Sequence, residues 1–131
     1  MSPWVYGYLA ALVVMGVLDA LWLGFLARDF YRQEIGDLLA EKFRLGPAAA
    51  FYFGYPAVLT TLALNPVPES AGAAAWRSAL VGLVAYGTYD LTNMATLKHW
   101  SLRLALVDTA WGVLASTMAG IAAYMLMQKN S

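Results

Sequence analysis

Asp19, Asp90 and Asp108 each interrupt a long hydrophobic segment. On insertion scales an aspartate at the centre of a membrane helix costs about 2.5–3.5 kcal/mol, so three uncompensated ones would cost about 8–10 kcal/mol. Ionisable residues in such segments turn toward a bundle interior and mark proton, ion or ligand sites. Carboxyls that share one site can divide acid and base roles between them. The three aspartates are therefore the candidate catalytic residues, suited to isomerising, hydrating or cyclising a polyene or isoprenoid.

The residues beside the acids fit a pocket. Tyr86, Asp90 and Asn93 follow one another at i, i+4 and i+7, on one helix face. Trp22 stands three residues after Asp19, and Trp111 three after Asp108. Gly16, Gly87 and Gly112 are small enough to let helices approach closely. Tyr52 and Tyr55 can add hydroxyls from a further segment. Trp22, Tyr52, Tyr55, Tyr86, Asn93 and Trp111 are thus the candidate ligand-binding residues, as amphipathic walls with polar handles.

Four segments are long and apolar enough to carry these side chains across a bilayer. They run from Trp4 to Leu26, Gly46 to Leu64, Ala74 to Leu97 and Leu102 to Met127. The chain of 131 residues reads as one all-α integral-membrane domain, a four-helix transmembrane bundle. It is 61% hydrophobic and 12% charged, against about 45–50% and about 25% in soluble domains. Its mean hydropathy is +0.59. Pro47 suits a first helical turn and Pro56 predicts a kink. No Lys or Arg precedes Arg28, so the N-terminal run reads as a retained helix rather than a cleaved signal.

The turn Lys98-His99-Trp100-Ser101 makes the last two segments an antiparallel hairpin. Between the first two, Tyr31, Ile35, Leu38, Leu39 and Phe43 recur at helical spacing among charges. This predicts an amphipathic helix, lying in the membrane interface or serving as an ordinary connecting helix on the bundle end. Arg28, Arg32, Lys42, Arg44, Lys98 and Arg103 lie on that side, and Arg77 and Lys129 on the other. The positive-inside rule then places both termini outside the cytoplasm, in a bacterial inner membrane.

In that topology the acids share a depth. Asp19 and Asp90 precede the cytoplasmic ends of their segments by seven residues, and Asp108 follows the start of its own by six. At 1.5 Å per residue each lies about 10 Å inside the boundary. GVLDALW and GTYDLTN share Gly-x-x-Asp, a weak sign of an internal duplication.

The stretches LDALWLGFLARDFY, LVAYGTYDLTNMATLKHW and LALVDTAWGVLAS closely resemble the uncharacterised bacterial membrane proteins grouped as domain of unknown function 2177. The resemblance runs from about Tyr8 to Tyr124 and rests on the order DALW, YGTYDLTN, VDTAWG. It implies four spans and no assigned reaction. The residues matching its motifs are Asp19, Trp22, Tyr86, Tyr89, Asp90, Asn93, Asp108 and Trp111.

Three functions remain open at this point. The acids can bind or convert a small amphipathic or lipid-like molecule. They can serve a proton- or cation-coupled transporter, although the opposite half offers only Thr60, Thr61, Ser116 and Thr117 as a polar path. They can be structural in an accessory subunit, locked by hydroxyls and indoles or by Lys98 and Arg103 reaching inward. Membrane lipid, a homodimer or a larger membrane complex are the expected partners. A net charge of zero gives no reason to expect nucleic acid. The chain has no cysteine and one histidine, so thiolate chemistry and a histidine-rich metal site within one chain are excluded, and no cofactor can be named.

Overall fold

Pro3 opens the first helix, where its missing N–H costs nothing. Helix α1 spans Pro3–Leu21 and continues as one wide π turn, Trp22–Leu26. Ala27 N–H closes that turn on Trp22 O at 2.7 Å. Turns of this kind recur at functional sites. The computed structural model describes residues 1–130, and among these every regular element is helical.

Helix α2, Arg28–Ile35, follows directly and buries Ile35. The sequence pattern predicts an amphipathic helix reaching Phe43, but α2 ends at Gly36 in a single 3-10 turn, Gly36–Leu38. Glycine costs about 1 kcal/mol in a helix interior and favours this stop. Leu38, Leu39 and Phe43 are left exposed beyond it.

Helix α3, Leu45–Leu64, carries Pro47 in its first turn and Pro56 inside. Pro56 has no N–H to offer the Tyr52 carbonyl four residues back. Thr60 Oγ1 donates to Pro56 O at 2.8 Å. Ser70 caps helix α4, Ala71–Thr96, by accepting from Ala73 N at 3.1 Å. Ser101 caps helix α5, Leu102–Lys129, by accepting from Leu104 N at 2.9 Å. Such hydroxyl caps satisfy backbone donors that the first turn leaves orphaned.

Three stretches, Pro3–Leu26, Leu45–Leu64 and Leu102–Lys129, are long and apolar enough to cross a membrane. Helix α4 has the length, 26 residues, but Arg77, Asp90, Asn93 and its hydroxyls dilute its hydropathy.

Helix α5 sits against α4, α1 and α3, while α1 and α4 stand at opposite corners. Its buried stripe is made of small residues, including Ala105, Gly112, Ala115, Ser116, Ala119, Gly120 and Ala123. Such a stripe lets neighbouring backbones come close. A Cβ on Gly82 would lie 2.7 Å from Gly112 O and 2.8 Å from Ser116 Cβ, so α4 and α5 meet there backbone to backbone. Met15, Leu59, Leu64 and Leu104 fill the remaining interior. Val13, Val17, Leu62, Leu83, Leu91, Leu106 and Leu114 are exposed on the outside.

Candidate functional site

The three acids are buried, with relative exposures of 6% for Asp19, 0% for Asp90 and 9% for Asp108. They come from three helices and converge at the end of the bundle that carries α2. Asp19 Oδ1 accepts from Trp111 Nε1 at 2.8 Å, which ties α1 to α5. Tyr52 on α3 stands beside Asp19 as well. Asp108 Oδ1 accepts from the Tyr31 hydroxyl at 2.6 Å, and that hydroxyl accepts from Trp22 Nε1 at 3.1 Å. The indoles of Trp22 and Trp111 stack with centroids 4.4 Å apart and planes 5° from parallel. Hydrogen bonds at both ends and ring stacking in the middle thus link Asp19 to Asp108 through two tryptophans and a tyrosine.

Asp90 completes the group from behind. Its Oδ2 accepts from Thr109 Oγ1 at 3.0 Å, and its carboxyl interacts directly with that of Asp108. Asp90 Oδ1 and Asp108 Oδ2 are buried without a hydrogen-bond partner. A proton held between the two carboxyls would give both oxygens one. Buried polar atoms left unsatisfied are rare and point to a specific role.

Lys98 and Arg103 do not reach inward to the acids. The Arg103 guanidinium lies over the Phe30 ring at 5.2 Å instead. Among the described residues no Lys, Arg or His pairs with any of the three. The two basic loops do meet: Ser101 Oγ donates to Glu34 Oε1, joining the start of α5 to α2.

A cavity of about 460 Å³ opens beside this link. Its walls are the aromatic side chains Tyr31, Phe51, Tyr52, Tyr86, Tyr89 and Trp111, with Leu23 and Ala85, and its acids are Asp19 and Asp108. A second hollow of about 410 Å³ shares Asp19, Leu23 and Tyr52 and reaches Gly16, Ala20, Gly24 and Phe43. Helix packing fixes one wall: the Tyr86 ring lies where a Cβ on Gly112 would stand. Phe51 stacks on Tyr55 at 5.4 Å and meets Tyr86 edge-on at 6.4 Å. The volume falls within the range of about 300–1,000 Å³ typical of small-molecule pockets, and the lining is apolar with a few polar groups.

Of the residues singled out by sequence, Asp19, Asp108, Tyr52, Tyr86 and Trp111 line this cavity. Trp22 lies behind Trp111 and buttresses it. Asp90 lies behind Asp108, outside the lining. The Tyr55 hydroxyl pairs with Ser116 Oγ at 2.7 Å, and its ring supports Tyr86 edge-on at 6.0 Å. Asn93 is half-buried and does not line the cavity. Gly112 allows close approach, as expected, whereas a Cβ at Gly16 would meet nothing within 4 Å.

Tyr31, Phe51 and Tyr89 are the lining aromatics that residue spacing did not select. Tyr31 was legible only as part of the apolar stripe of α2. That stripe turns toward the bundle end and carries the hydroxyl onto Asp108. Burial first, and then the hydrogen bond to Asp108, push the Tyr31 hydroxyl well above its ordinary range, so it remains a protonated donor.

The chain matches no curated protein and no solved structure. The family model described as predicted membrane protein (DUF2177) matches residues 4–125, nearly the whole length. Matched from its first helix to its last, this hydrophobic helical chain therefore belongs to the DUF2177 family of predicted membrane proteins.

Proposed function

We propose that this chain is a four-span membrane protein whose aromatic cavity binds, and in its cell converts, a small amphipathic or lipid-like molecule. The carrying observation is the cavity of about 460 Å³ with apolar aromatic walls and two buried carboxyls. A purely structural network needs no such space beside it. Helix α4 crosses with the others: 26 residues rise about 39 Å, and Asp90 faces its neighbours rather than lipid. The basic loops mark the cytoplasmic end, so the cavity opens toward the cytoplasm and both termini lie outside, in a bacterial inner membrane. In this reading the ligand's apolar body lies among Phe51, Tyr86 and Trp111, and its polar end meets Asp19 and Asp108. The Asp90–Asp108 pair supplies the site where a proton is taken up or given.

Photolabelling tests the reading. A diazirine-bearing alkyl amphiphile should label peptides carrying Tyr52, Tyr86 or Trp111, and Ala85→Trp, which fills the cavity, should remove that label. Labelling spread over lipid-facing positions such as Val13 and Leu83, and unchanged by Ala85→Trp, would count against it.

A further inference from the structure

We propose that the ligand of this cavity presents an organic ammonium group, seated between Asp19 and Asp108 among the surrounding aromatic rings. The inference rests on the pocket reading above and names the chemistry of its ligand.

Two carboxyls line the cavity and no Lys, Arg or His does. A third carboxyl, Asp90, stands directly behind Asp108. The Arg103 guanidinium, five residues before Asp108 in the chain, lies over Phe30. Carboxylates buried in a membrane bundle without a basic neighbour call for a positive partner, and the cavity is where one can enter. The donors these two acids do have are neutral, the Trp111 indole on Asp19 and the Tyr31 hydroxyl on Asp108.

The walls then choose among cations. Tyr31, Tyr52, Tyr86, Tyr89 and Trp111 surround the acids with aromatic rings. Rings of this kind attract alkylammonium groups, whose charge is diffuse and weakly hydrated. Magnesium and calcium ask instead for about six or more oxygen ligands. Among the described residues no group of three or more Asp, Glu, His or Cys is placed to hold a metal ion. An anionic headgroup would meet two carboxyls of its own sign. A wholly neutral apolar guest would leave both without a positively charged partner.

The test uses the full chain in nanodiscs and two probes of one shape, phenyltrimethylammonium and its neutral isostere tert-butylbenzene. Titrations follow tryptophan fluorescence, to which Trp111 in the wall contributes. Wild type should bind the cation at least tenfold more tightly than the isostere. The double variant Asp19→Asn/Asp108→Asn should lose that preference, while Arg77→Gln at the opposite end should keep it. The comparison of probes on wild type needs no variant to fold. Equal binding of the two probes would overturn the ammonium inference and leave the pocket reading standing. Binding of neither would overturn both.

Discussion

At the scale of single residues, the site depends on side chains that satisfy two partners at once. The Tyr31 hydroxyl donates to Asp108 and accepts from Trp22, so removing it orphans a buried carboxylate oxygen and an indole N–H together. Leaving such groups unpaired costs about 1–3 kcal/mol. Tyr31→Phe should therefore destabilise the protein by about that amount in an unfolding titration in mixed micelles. Its pH dependence has a definite sign. The folded state holds the Tyr31 proton more tightly than the unfolded chain, whose tyrosines titrate near pH ~10. That contribution is complete below the unfolded value and is lost as pH rises beyond it. Wild-type stability should fall above about pH 10, and Tyr31→Phe should flatten part of the fall. An identical alkaline slope in both proteins would show that Tyr31 is not held in this way.

At the scale of elements, the cavity exists because α4 and α5 are pressed together. Gly120 accepts the Ser78 side chain where a Cβ would otherwise be, and Gly112 does the same for Tyr86. Adding a methyl at either position forces a shift, and overpacking of this kind costs about 1–3 kcal/mol. Gly120→Ala should lower stability within that range. Gly112→Ala should in addition displace Tyr86 and weaken ligand binding. Gly87→Ala is the control, since its Cβ would meet only Thr109 Cγ2 at an ordinary 3.9 Å. Thermal unfolding of the three variants in one detergent distinguishes them, and equal melting temperatures would contradict the close packing. The helices themselves were largely legible in the sequence, because apolar length, Pro3, Pro47 and the serines before α4 and α5 act locally. The end of α2 was not: Gly36 outweighs an apolar spacing that continues to Phe43. Nor was the open face at Gly16, because which glycine meets a neighbour depends on tertiary packing rather than on the residue beside it.

At the scale of the whole molecule, the sequence located the layer of the site better than its edges. Equal distances from the segment ends brought Asp19, Asp90 and Asp108 together in expectation, and the packed bundle does place them in one group. Their division of labour depended on helix rotation, which spacing alone leaves open. Rotation puts Asp19 and Asp108 on the cavity and Asp90 behind it, and it turns Tyr55 toward Ser116. The contribution of α2 depended on how a short amphipathic helix folds back, which set Tyr31 into the link between the acids. Together these features make a membrane bundle closed by small-residue packing on one side of its core and hollow on the other. The hollow side carries acids with no basic partner, and the account stands on its being filled in the cell. Native mass spectrometry of the full chain released from nanodiscs tests that most directly, with wild type beside Asp19→Asn/Asp108→Asn. The account predicts a defined added mass on wild type that the folded variant lacks. Bare protein in both, or the same added mass on both, would contradict it.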